Sequence, residues 1–313
     1  MILVTGGAGH LGKHLVQELV KNGETVRVLS KEETEIKGVE VVVGDILDKI
    51  TVKKAVEGAD TIYHLAAMVD YNPVPKKLMY DVNVNGTKNL LEFSKADKFI
   101  FQSTTSVYGK KMKHNPANEK TPCNPSSHYG KTKEIAEKLV LDKDGIVLRA
   151  PVIYGPGFND GFQFVLSQIE KGKMRLIGTG DNMIQWIHVD DLVQALVLAK
   201  DKGKKGEIYL VAGRDTKTQR ELFALLANDL KVAKPTKKIS PALATFMAHY
   251  KTISSKLKGK SSKLTAEHIS RITSNRLFNI SKAEKELGFN PRVNYKHGAS
   301  EIVEEYIIKR HSK

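Results

Sequence analysis

The 313-residue chain contains a single cysteine, Cys123, and a single tryptophan. One cysteine cannot form an intrachain disulfide, and this favours a reducing compartment, so we expect a cytoplasmic protein. The chain also lacks a run of 18 apolar residues, so no membrane-spanning helix is predicted. Its first apolar run begins at Ile2, which is expected to leave no room for a signal peptide.

Acidic residues are in short supply. The sequence has 35 Asp and Glu against 50 Lys and Arg, a formal net charge of +15. Between Lys231 and Lys263 there are nine lysines and no acidic residue. A solvated lysine-rich surface is the simpler interpretation, and contact with an anionic membrane surface or an acidic ligand is the alternative. This segment has few aromatic residues and matches no nucleic-acid-binding module, so no nucleic-acid partner is expected.

What the chain does contain is a regular alternation of short apolar runs with helical patterns. The predicted helices are Leu11–Lys21, Thr51–Val56, Tyr80–Ser94, Tyr129–Leu141 and Asp190–Ala199. The predicted strands are Ile2–Thr5, Thr25–Leu29, Val39–Val43, Thr61–Leu65, Lys98–Ser103, Gly145–Arg149 and Glu207–Val211. Alternation of this kind predicts an α/β fold with a doubly wound parallel sheet and helices on both faces.

The last third of the chain differs, because it is helical and rich in lysine. We therefore predict a sheet domain over residues 1–160, completed by about 184–213, and a smaller substrate-binding cap from 161–183 and 214–313. Within the cap, the apolar segment Pro241–Tyr250 is flanked by lysines. It is interpreted as a helix that covers the pocket, with an interfacial helix that reaches a lipid-like substrate as the alternative.

A glycine-rich turn follows the first predicted strand. Gly6, Gly9 and Gly12 recur at intervals of three residues and lead into a helical pattern. A helix N-terminus offers free backbone N–H groups and the positive end of the helix dipole to an anion. Glycine allows the turn and lets the backbone approach a pyrophosphate. The turn therefore predicts a dinucleotide site.

Tyr129 and Lys133 lie four residues apart at the start of a predicted helix, which brings both side chains to one face. A nearby ammonium favours the phenolate and lowers the pKa of a tyrosine from about 10. Such a phenol can exchange a proton with a substrate hydroxyl or carbonyl. Upstream, the predicted strand Lys98–Ser103 ends in hydroxyl-bearing residues that would face the same site as the glycine turn.

Taken together, these segments resemble the extended short-chain dehydrogenases/reductases, the superfamily of NAD-dependent epimerases and dehydratases. The pattern is nearest to the branch of 3β-hydroxysteroid dehydrogenases and dihydroflavonol reductases. The matching segments are Thr5–Gly12, Gly44-Asp45, His64–Ala67, Asn83–Thr87, Ser103–Gly109, Tyr129–Lys133, Leu148–Pro156, Gly178–Gly180, His188–Asp191 and Ser281–Phe289.

This resemblance implies a Rossmann domain and gives four residues catalytic roles. Tyr129 would be the general acid/base, and Thr104 would bind the substrate. Lys133 would hold the nicotinamide ribose and lower the pKa of the tyrosine. Asn83 would support a water network, unless it simply caps its helix.

The resemblance also implies a set of cofactor contacts, among which Asp45 would accept a hydrogen bond from the adenine amino group. The set is Gly6, Gly9, His10, Leu11, Gly12, Ser30, Lys31, Asp45, Ile46, Leu65, Ala66, Ala67, Tyr129 and Lys133. Candidate residues for the substrate pocket, each of which could instead belong to the core, are Met68, Val69, Tyr71, Thr105, Tyr154, Phe158 and Phe162. No third ligand accompanies the pair His10 and His14, so no metal is predicted. Members often dimerise through two helices, so a homodimer is expected, formed by Tyr80–Ser94 and Tyr129–Leu141.

Two departures from the family pattern narrow the expected reaction. Ser30 and Lys31 stand where an acidic residue usually selects NAD, and a hydroxyl with a cation suits the 2′-phosphate of NADP, although Glu32 and Glu33 oppose a phosphate. Ile184 replaces an arginine that clamps the diphosphate of sugar nucleotides, and no Arg-x-Gly-Asp stretch precedes Ser281.

We therefore expect an NADP- or NAD-dependent oxidoreductase that interconverts a secondary alcohol and a ketone on a moderately apolar small molecule. Two alternatives stay open. One is an NAD-dependent epimerase or dehydratase that acts on a nucleotide sugar, and the other is a non-catalytic protein that senses dinucleotides.

Overall fold

The computed structural model describes residues 1–69, 74–110, 112–257 and 273–311. Its main sheet contains β1 (Ile2–Thr5), β2 (Val26–Ser30), β3 (Glu40–Val43), β4 (Thr61–His64), β5 (Lys98–Thr104), β6 (Ile146–Ala150) and β11 (Ile208–Leu210). Short strands elsewhere are β7 (Ile153–Tyr154), β8 (Leu176–Ile177), β9 (Met183–Ile184), β10 (Ile187–His188), β12 (Lys217–Thr218) and β13 (Lys238–Ile239). All seven predicted strands are confirmed, and no strand end differs from its prediction by more than one residue.

The main sheet is parallel throughout, in the order β11-β6-β5-β4-β1-β2-β3. From β1 the chain proceeds to β2 and β3 on one side, and then to β4, β5, β6 and β11 on the other. The order therefore reverses between β1 and β4, where Thr5 lies opposite His64. A crevice opens at the carboxyl ends of strands at such a reversal, and this is where ligands bind in open α/β sheets.

Helices cover both faces of this sheet, so the doubly wound fold of the Rossmann type is confirmed. They are α1 (His10–Lys21), α2 (Lys49–Val56), α3 (Lys76–Tyr80), α4 (Gly86–Phe93), α5 (His128–Leu141), α6 (Asn159–Glu170), α7 (Val189–Lys202), α8 (Gln219–Asp229), α9 (Pro241–Leu257), α10 (Ser281–Leu287) and α11 (Tyr295–His311). Leu15 of α1 and Leu196 of α7 belong to the core on one face, and Leu90 of α4 and Val140 of α5 to the core on the other. None of the helices in the described ranges is both long and apolar enough to cross a membrane.

A third core lies between α6, α8 and α11, with Phe162, Leu222 and Ile302 among its buried residues. These helices, the cap helices, come from both of the ranges that the sequence predicts for the cap. α10 also falls in those ranges, but its Ala283 and Leu287 are buried in the core beside α1 and α7. Amphipathic spacing identifies the buried face of a helix and not the core that receives it. The domain limits stay a prediction.

Candidate active site

The turn between β1 and α1 is packed too tightly for side chains. Gly6 has a φ of +72°, and a Cβ on it would lie 2.8 Å from the backbone N of Ala66. A Cβ on Gly12 would overlap the carbonyl oxygen of Gly6. The N-cap of α1, Gly9, makes no side-chain capping bond. The result is a bare backbone surface at a helix N-terminus, which fits the pyrophosphate of a dinucleotide.

The sequence did not single out Gly7, although it is restricted as well. A Cβ there would lie 2.6 Å from Cγ2 of Val28 on the neighbouring strand. The pair of adjacent glycines is visible in the sequence. The reason that Gly7 must be glycine is visible only in the fold, which packs Val28 of β2 against the turn.

The residues expected to contact adenosine bind each other. Nζ of Lys31 lies 2.8 Å from Oδ2 of Asp45. Burial raises the pKa of Asp45, but hydrogen bonds from Lys31 and from the backbone N–H of Leu47 outweigh it, so the pKa lies below its usual value. The hydroxyl of Ser30 donates to the carbonyl of Glu32 at 2.8 Å. A 2′-phosphate bound here would therefore compete with Asp45 for Lys31.

Thr104 ends β5 and caps the short 3-10 helix Thr105–Tyr108. Its Oγ1 accepts a hydrogen bond from the backbone N–H of Ser106 and donates to Oγ of the same residue, both at 3.1 Å. The side chain is half-buried, at the carboxyl edge of the sheet. The capping bond fixes its position without removing it from solvent, as a substrate-binding hydroxyl requires.

Arg276 holds this turn from outside, and sequence reasoning missed it. Its Nη1 and Nη2 donate to the carbonyls of Gly109 and Thr105, at 2.8 and 3.0 Å. The backbone of Arg276 is bridged to that of Ile184. No local pattern marks a lone arginine 167 residues after the carbonyl it binds, so only the fold reveals the contact.

Lys133, one helical turn after Tyr129 in α5, is buried. Its Nζ donates to the carbonyl oxygen of Gln102 at 2.6 Å and lies 3.8 Å from the ring centroid of Phe101. Burial lowers the pKa of Lys133 to about 7, and the carboxylate of Glu137 opposes the shift. The ammonium that the resemblance places beside the nicotinamide ribose is thus anchored on β5 in this structure.

We expect Lys133→Met to remove a pH dependence of stability from the cofactor-free protein. The pKa of Lys133 is about 7 in the folded chain and near 10.5 in the unfolded chain, so between these values the unfolded chain binds more protons. The cost of burying the charge is fully present below pH 7 and disappears as the pH rises toward 10. The variant should be more stable than wild type at pH 6 by roughly 1–3 kcal/mol, and the difference should shrink by pH 10.

Urea unfolding at pH 6, 7, 8.5 and 10 measures this difference. Lys131→Met, at an exposed position of the same helix, is the matched control and should show no such trend. A constant offset between wild type and Lys133→Met across the range would contradict the low pKa.

Glu137 extends the same face of α5 by another turn and forms a buried ion pair. Its carboxylate accepts from Nη2 of Arg149 at 2.6 Å and from Nε at 3.0 Å, and Oγ of Ser103 donates to it as well. Both charged side chains are no more than 5% exposed. α5 is therefore fastened to β5 and β6 directly below the tyrosine and lysine.

Asn83 lies in a π-helical turn, Asp81–Asn85, between α3 and α4, so the predicted helix Tyr80–Ser94 is part of a longer, interrupted helical run. Its Oδ1 accepts from the backbone N–H of Met68 at 2.7 Å, and its Nδ2 donates to the carbonyl of Met68 and to Oγ1 of Thr132. Thr132 in turn donates to the carbonyl of Tyr129 at 2.9 Å. The alternative that Asn83 caps its helix is wrong, because Asn83 lies inside the helical run and ties the loop after β4 to α5.

Buried His64 connects the two sides of the crevice through an ordered proton chain. The carbonyl of Asn83 can only accept, so Oγ1 of Thr87 must donate to it. The same Oγ1 therefore accepts a hydrogen bond from the N–H at Nε2 of His64. Nδ1 of His64 then accepts from Oγ1 of Thr5, at 2.8 Å, and that oxygen accepts from the backbone N–H of Ala66. Burial, assisted by the charge of Lys133, holds the pKa of His64 well below its usual value, so the imidazole is neutral.

The other cofactor candidates lie around the same crevice. His10 contacts the ring of Phe158, with centroids 5.6 Å apart. Leu11 and Ile46 are buried, and the carbonyl of Ile46 accepts from Asn89. Leu65 and Ala66 are partly buried against the cores of the two faces, and Ala67 is half-buried.

The pocket candidates are divided by the structure. Thr105 is buried in the turn, whereas Met68 and Val69 are on the loop after β4 with part of their surface exposed. Tyr154 stacks on Tyr295, with ring centroids 5.4 Å apart, and is buried with Phe162 in the core of the cap helices. Tyr154 and Phe162 are therefore core residues, which is the alternative that the sequence left open for them. Tyr71 falls outside the described residues.

His14 does not act with His10. It approaches Asp190 at 3.6 Å, and its Nε2 lies 3.1 Å from the carbonyl of Pro156. Across the described part of the chain, no group of three or more His, Cys, Asp or Glu side chains is arranged to hold a metal ion.

A model of the NAD dependent epimerase/dehydratase family matches residues 2–212 of this chain. Human short-chain dehydrogenase/reductase family 42E member 1 is 30% identical, and the match covers 92% of this chain and 83% of that protein. The sterol-4-alpha-carboxylate 3-dehydrogenase, decarboxylating, of Dictyostelium discoideum is 27% identical, with 96% and 99% covered. An Escherichia coli O157:H7 protein is also 27% identical, with 90% and 88% covered, and is named N-acetyl-alpha-D-glucosaminyl-diphospho-ditrans,octacis-undecaprenol 4-epimerase.

Solved structures agree in fold. The UDP-glucuronic acid 4-epimerase of Bacillus cereus, solved in complex with NAD, superposes with a TM-score of 0.78 at 24% identity, covering 100% of this chain and 99% of that one. The UDP-glucose 4-epimerase of Thermotoga maritima, solved with UDP-glucose, gives 0.78 at 25% identity, with 99% of each chain covered.

Proposed function

The chain belongs to the NAD dependent epimerase/dehydratase family, and from this premise we propose that it interconverts a secondary alcohol and a ketone on a moderately apolar small molecule. The nicotinamide of NADP or NAD would donate or accept the hydride, and Gly6, Gly9 and Gly12 would hold the pyrophosphate of the cofactor. In the direction of reduction, Tyr129 gives its phenolic proton to the substrate oxygen, and it takes the proton back in oxidation. The hydroxyl of Thr104 would turn its proton from Oγ of Ser106 to that oxygen and hold it.

The observation that carries this proposal is the double attachment of α5 to β5. Lys133 binds the carbonyl of Gln102, and Glu137 accepts from Ser103, so the strand is held at two residues in succession just before Thr104. The helix that bears Tyr129 and the strand that bears Thr104 are thereby held in a fixed register, as a proton donor and an oxygen-binding hydroxyl require. Steady-state turnover of a panel of apolar alcohols and ketones, followed through reduced nicotinamide, tests the reaction class.

An apolar substrate is favoured by what surrounds the site. Ile184 is buried where an arginine would clamp a diphosphate. Arg276, which lies beside it, directs both Nη atoms to carbonyls of the segment Thr105–Gly109, here called the catalytic turn. The relative in Dictyostelium discoideum is named as acting on a sterol, a substrate of the expected kind. No turnover with any apolar alcohol or ketone would overturn the proposal.

An epimerase or dehydratase that retains its nucleotide is the second candidate. The relative in Escherichia coli is named as an epimerase of a sugar carried on undecaprenol diphosphate. Purified protein distinguishes the two reactions: stoichiometric bound NAD, with substrate conversion and no net change of redox state, would support the epimerase. Binding of dinucleotide without any turnover would support the third possibility, a sensor.

We also propose that NADP is preferred to NAD. Lys31 is exposed and paired with Asp45, and its ammonium would also bind a 2′-phosphate. Lys31→Ala should therefore lower kcat/KM for NADPH by about tenfold and kcat/KM for NADH by less than twofold. Lys37→Ala, at an exposed position of the same loop, is the control and should leave both values unchanged. A wild-type enzyme that strongly prefers NADH would refute the preference.

The expected homodimer and cytoplasmic location are part of the proposal. Tyr80 and Ile135, on the helical run before α4 and on α5, are exposed apolar side chains on the two helices expected to pair between subunits. Their exposure is compatible with a contact between two copies.

A further inference from the structure

α9 has two faces of different character. Ala244 and Ala248, four residues apart, are buried against Ile177 of β8 and Ile239 of β13. The opposite face carries large apolar side chains spaced by three, one and three residues, each 44–68% exposed. They are Leu243, Phe246, Met247 and Tyr250, here called the α9 stripe. The spacing is that of one side of a helix, so these residues form a continuous apolar surface that faces solvent.

Positive charge precedes this stripe along the chain. Lys231, Lys234, Lys237 and Lys238 are exposed on the segment that leads into α9. The sequence contains no acidic residue from 231 to 263, so this segment itself offers no carboxylate to its lysines. Asp181, which pairs with Arg220, also acts on Lys238. Apolar and cationic surface therefore occur together, and the occupant of the stripe must satisfy both.

We propose that the α9 stripe and its lysines dock this protein on an anionic membrane surface. Phenyl, phenol and aliphatic side chains on one side of a helix enter the boundary between headgroups and acyl chains, and neighbouring lysines are attracted to anionic lipid. A second copy of the chain fits less well, because it would bring two lysine-rich surfaces of the same sign together. The docking surface is independent of the proposed reaction, since it uses none of the catalytic residues.

The stripe is also connected to the catalytic turn through the cap. β13, which precedes α9, pairs with β8. The chain then passes from β8 to β9, where the carbonyl of Met183 accepts from the backbone N–H of Arg276. Arg276 in turn holds the carbonyls of Thr105 and Gly109. If the proposed function is correct, docking would hold the side of the molecule that bears the α9 stripe against the lipid bilayer, in which an apolar substrate dissolves.

Co-sedimentation with vesicles tests the docking directly. Wild type should bind vesicles that contain phosphatidylglycerol about tenfold or more tightly than phosphatidylcholine vesicles at low ionic strength, and 0.5 M salt should weaken the binding. Phe246→Ser/Met247→Ser and Lys234→Glu/Lys237→Glu should each reduce binding by about tenfold or more. Matched controls on α2, Ile50→Ser and Lys53→Glu/Lys54→Glu, change residues that are also exposed and should bind like wild type.

Several results would overturn the proposal. They are no co-sedimentation at low ionic strength, equal binding to neutral vesicles, binding unaffected by the α9 changes, and self-association without lipid that the α9 changes abolish. Thermal unfolding and NAD binding of each variant establish that the fold is intact. Turnover of soluble substrates is measured separately, so a failure of docking and a failure of the proposed reaction give different results.

Discussion

Tyr129→Phe should lower kcat by about a thousandfold or more and change the Kd for the nicotinamide cofactor by less than about twofold, because it removes one proton-transferring hydroxyl and leaves the glycine turn intact. Steady-state kinetics and fluorescence titration of the reduced cofactor measure the two effects. Tyr80→Phe makes the same chemical change at an exposed position of α3 and serves as the control.

The two measurements separate possible failures. Turnover retained within tenfold would remove Tyr129 from the role of general acid/base. Loss of cofactor binding together with turnover would show that the phenol acts in binding and not only in proton transfer. A fall in kcat with unchanged affinity is the only outcome that the proposed chemistry allows.

Arg149→Met should lower the free energy of unfolding by about 3–5 kcal/mol, since it leaves the carboxylate of Glu137 buried without its main partner. Glu137→Gln should lower the free energy of unfolding by a similar amount, because it leaves the guanidinium of Arg149 buried without its carboxylate. The double variant Glu137→Gln/Arg149→Met should lose less than the sum of the two single changes, because no buried charge is left without a partner. Urea unfolding at pH 7 measures all three.

Glu134→Gln, three residues earlier on α5, is the matched control. Its partner Lys138 lies 3.1 Å away and is 69% exposed, so the change should cost less than about 0.5 kcal/mol. Losses below about 1 kcal/mol for both buried variants would mean that water reaches the pair and that it does not fasten α5 to the sheet. Glu137→Gln should also lower the pKa of Lys133 further, since the carboxylate opposes the effect of burial.

The sheet was predictable because parallel strands buried on both faces are continuous apolar runs, and Ile2–Val4 and Phe99–Phe101 have this character. The glycine turn was predictable for a related reason, since Gly6 and Gly12 occupy positions where no side chain fits. In both cases the constraint acts on neighbouring residues, and the sequence therefore records it locally.

The parts that escaped depend on contacts between distant segments. Nothing near Arg276 indicates that it binds the turn after β5. Helical spacing places Lys133 on the same face as Tyr129, but it does not show that Phe101 and Gln102 enclose the ammonium. Tyr154 and Phe162 have the side chains of a pocket, and the arrangement of α6 and α11 decides that they fill a core.

The direction of the protons around His64 has an evolutionary consequence. Each hydroxyl on either side of the imidazole has one acceptor and one donor already assigned. Replacing Thr5 by a residue without a hydroxyl would therefore leave Nδ1 without its donor, and the same change at Thr87 would leave the N–H at Nε2 without its acceptor. Neither loss can be repaired by turning the ring. The three side chains should therefore show strong epistasis, and a lineage that changes one of them is expected to change the others with it.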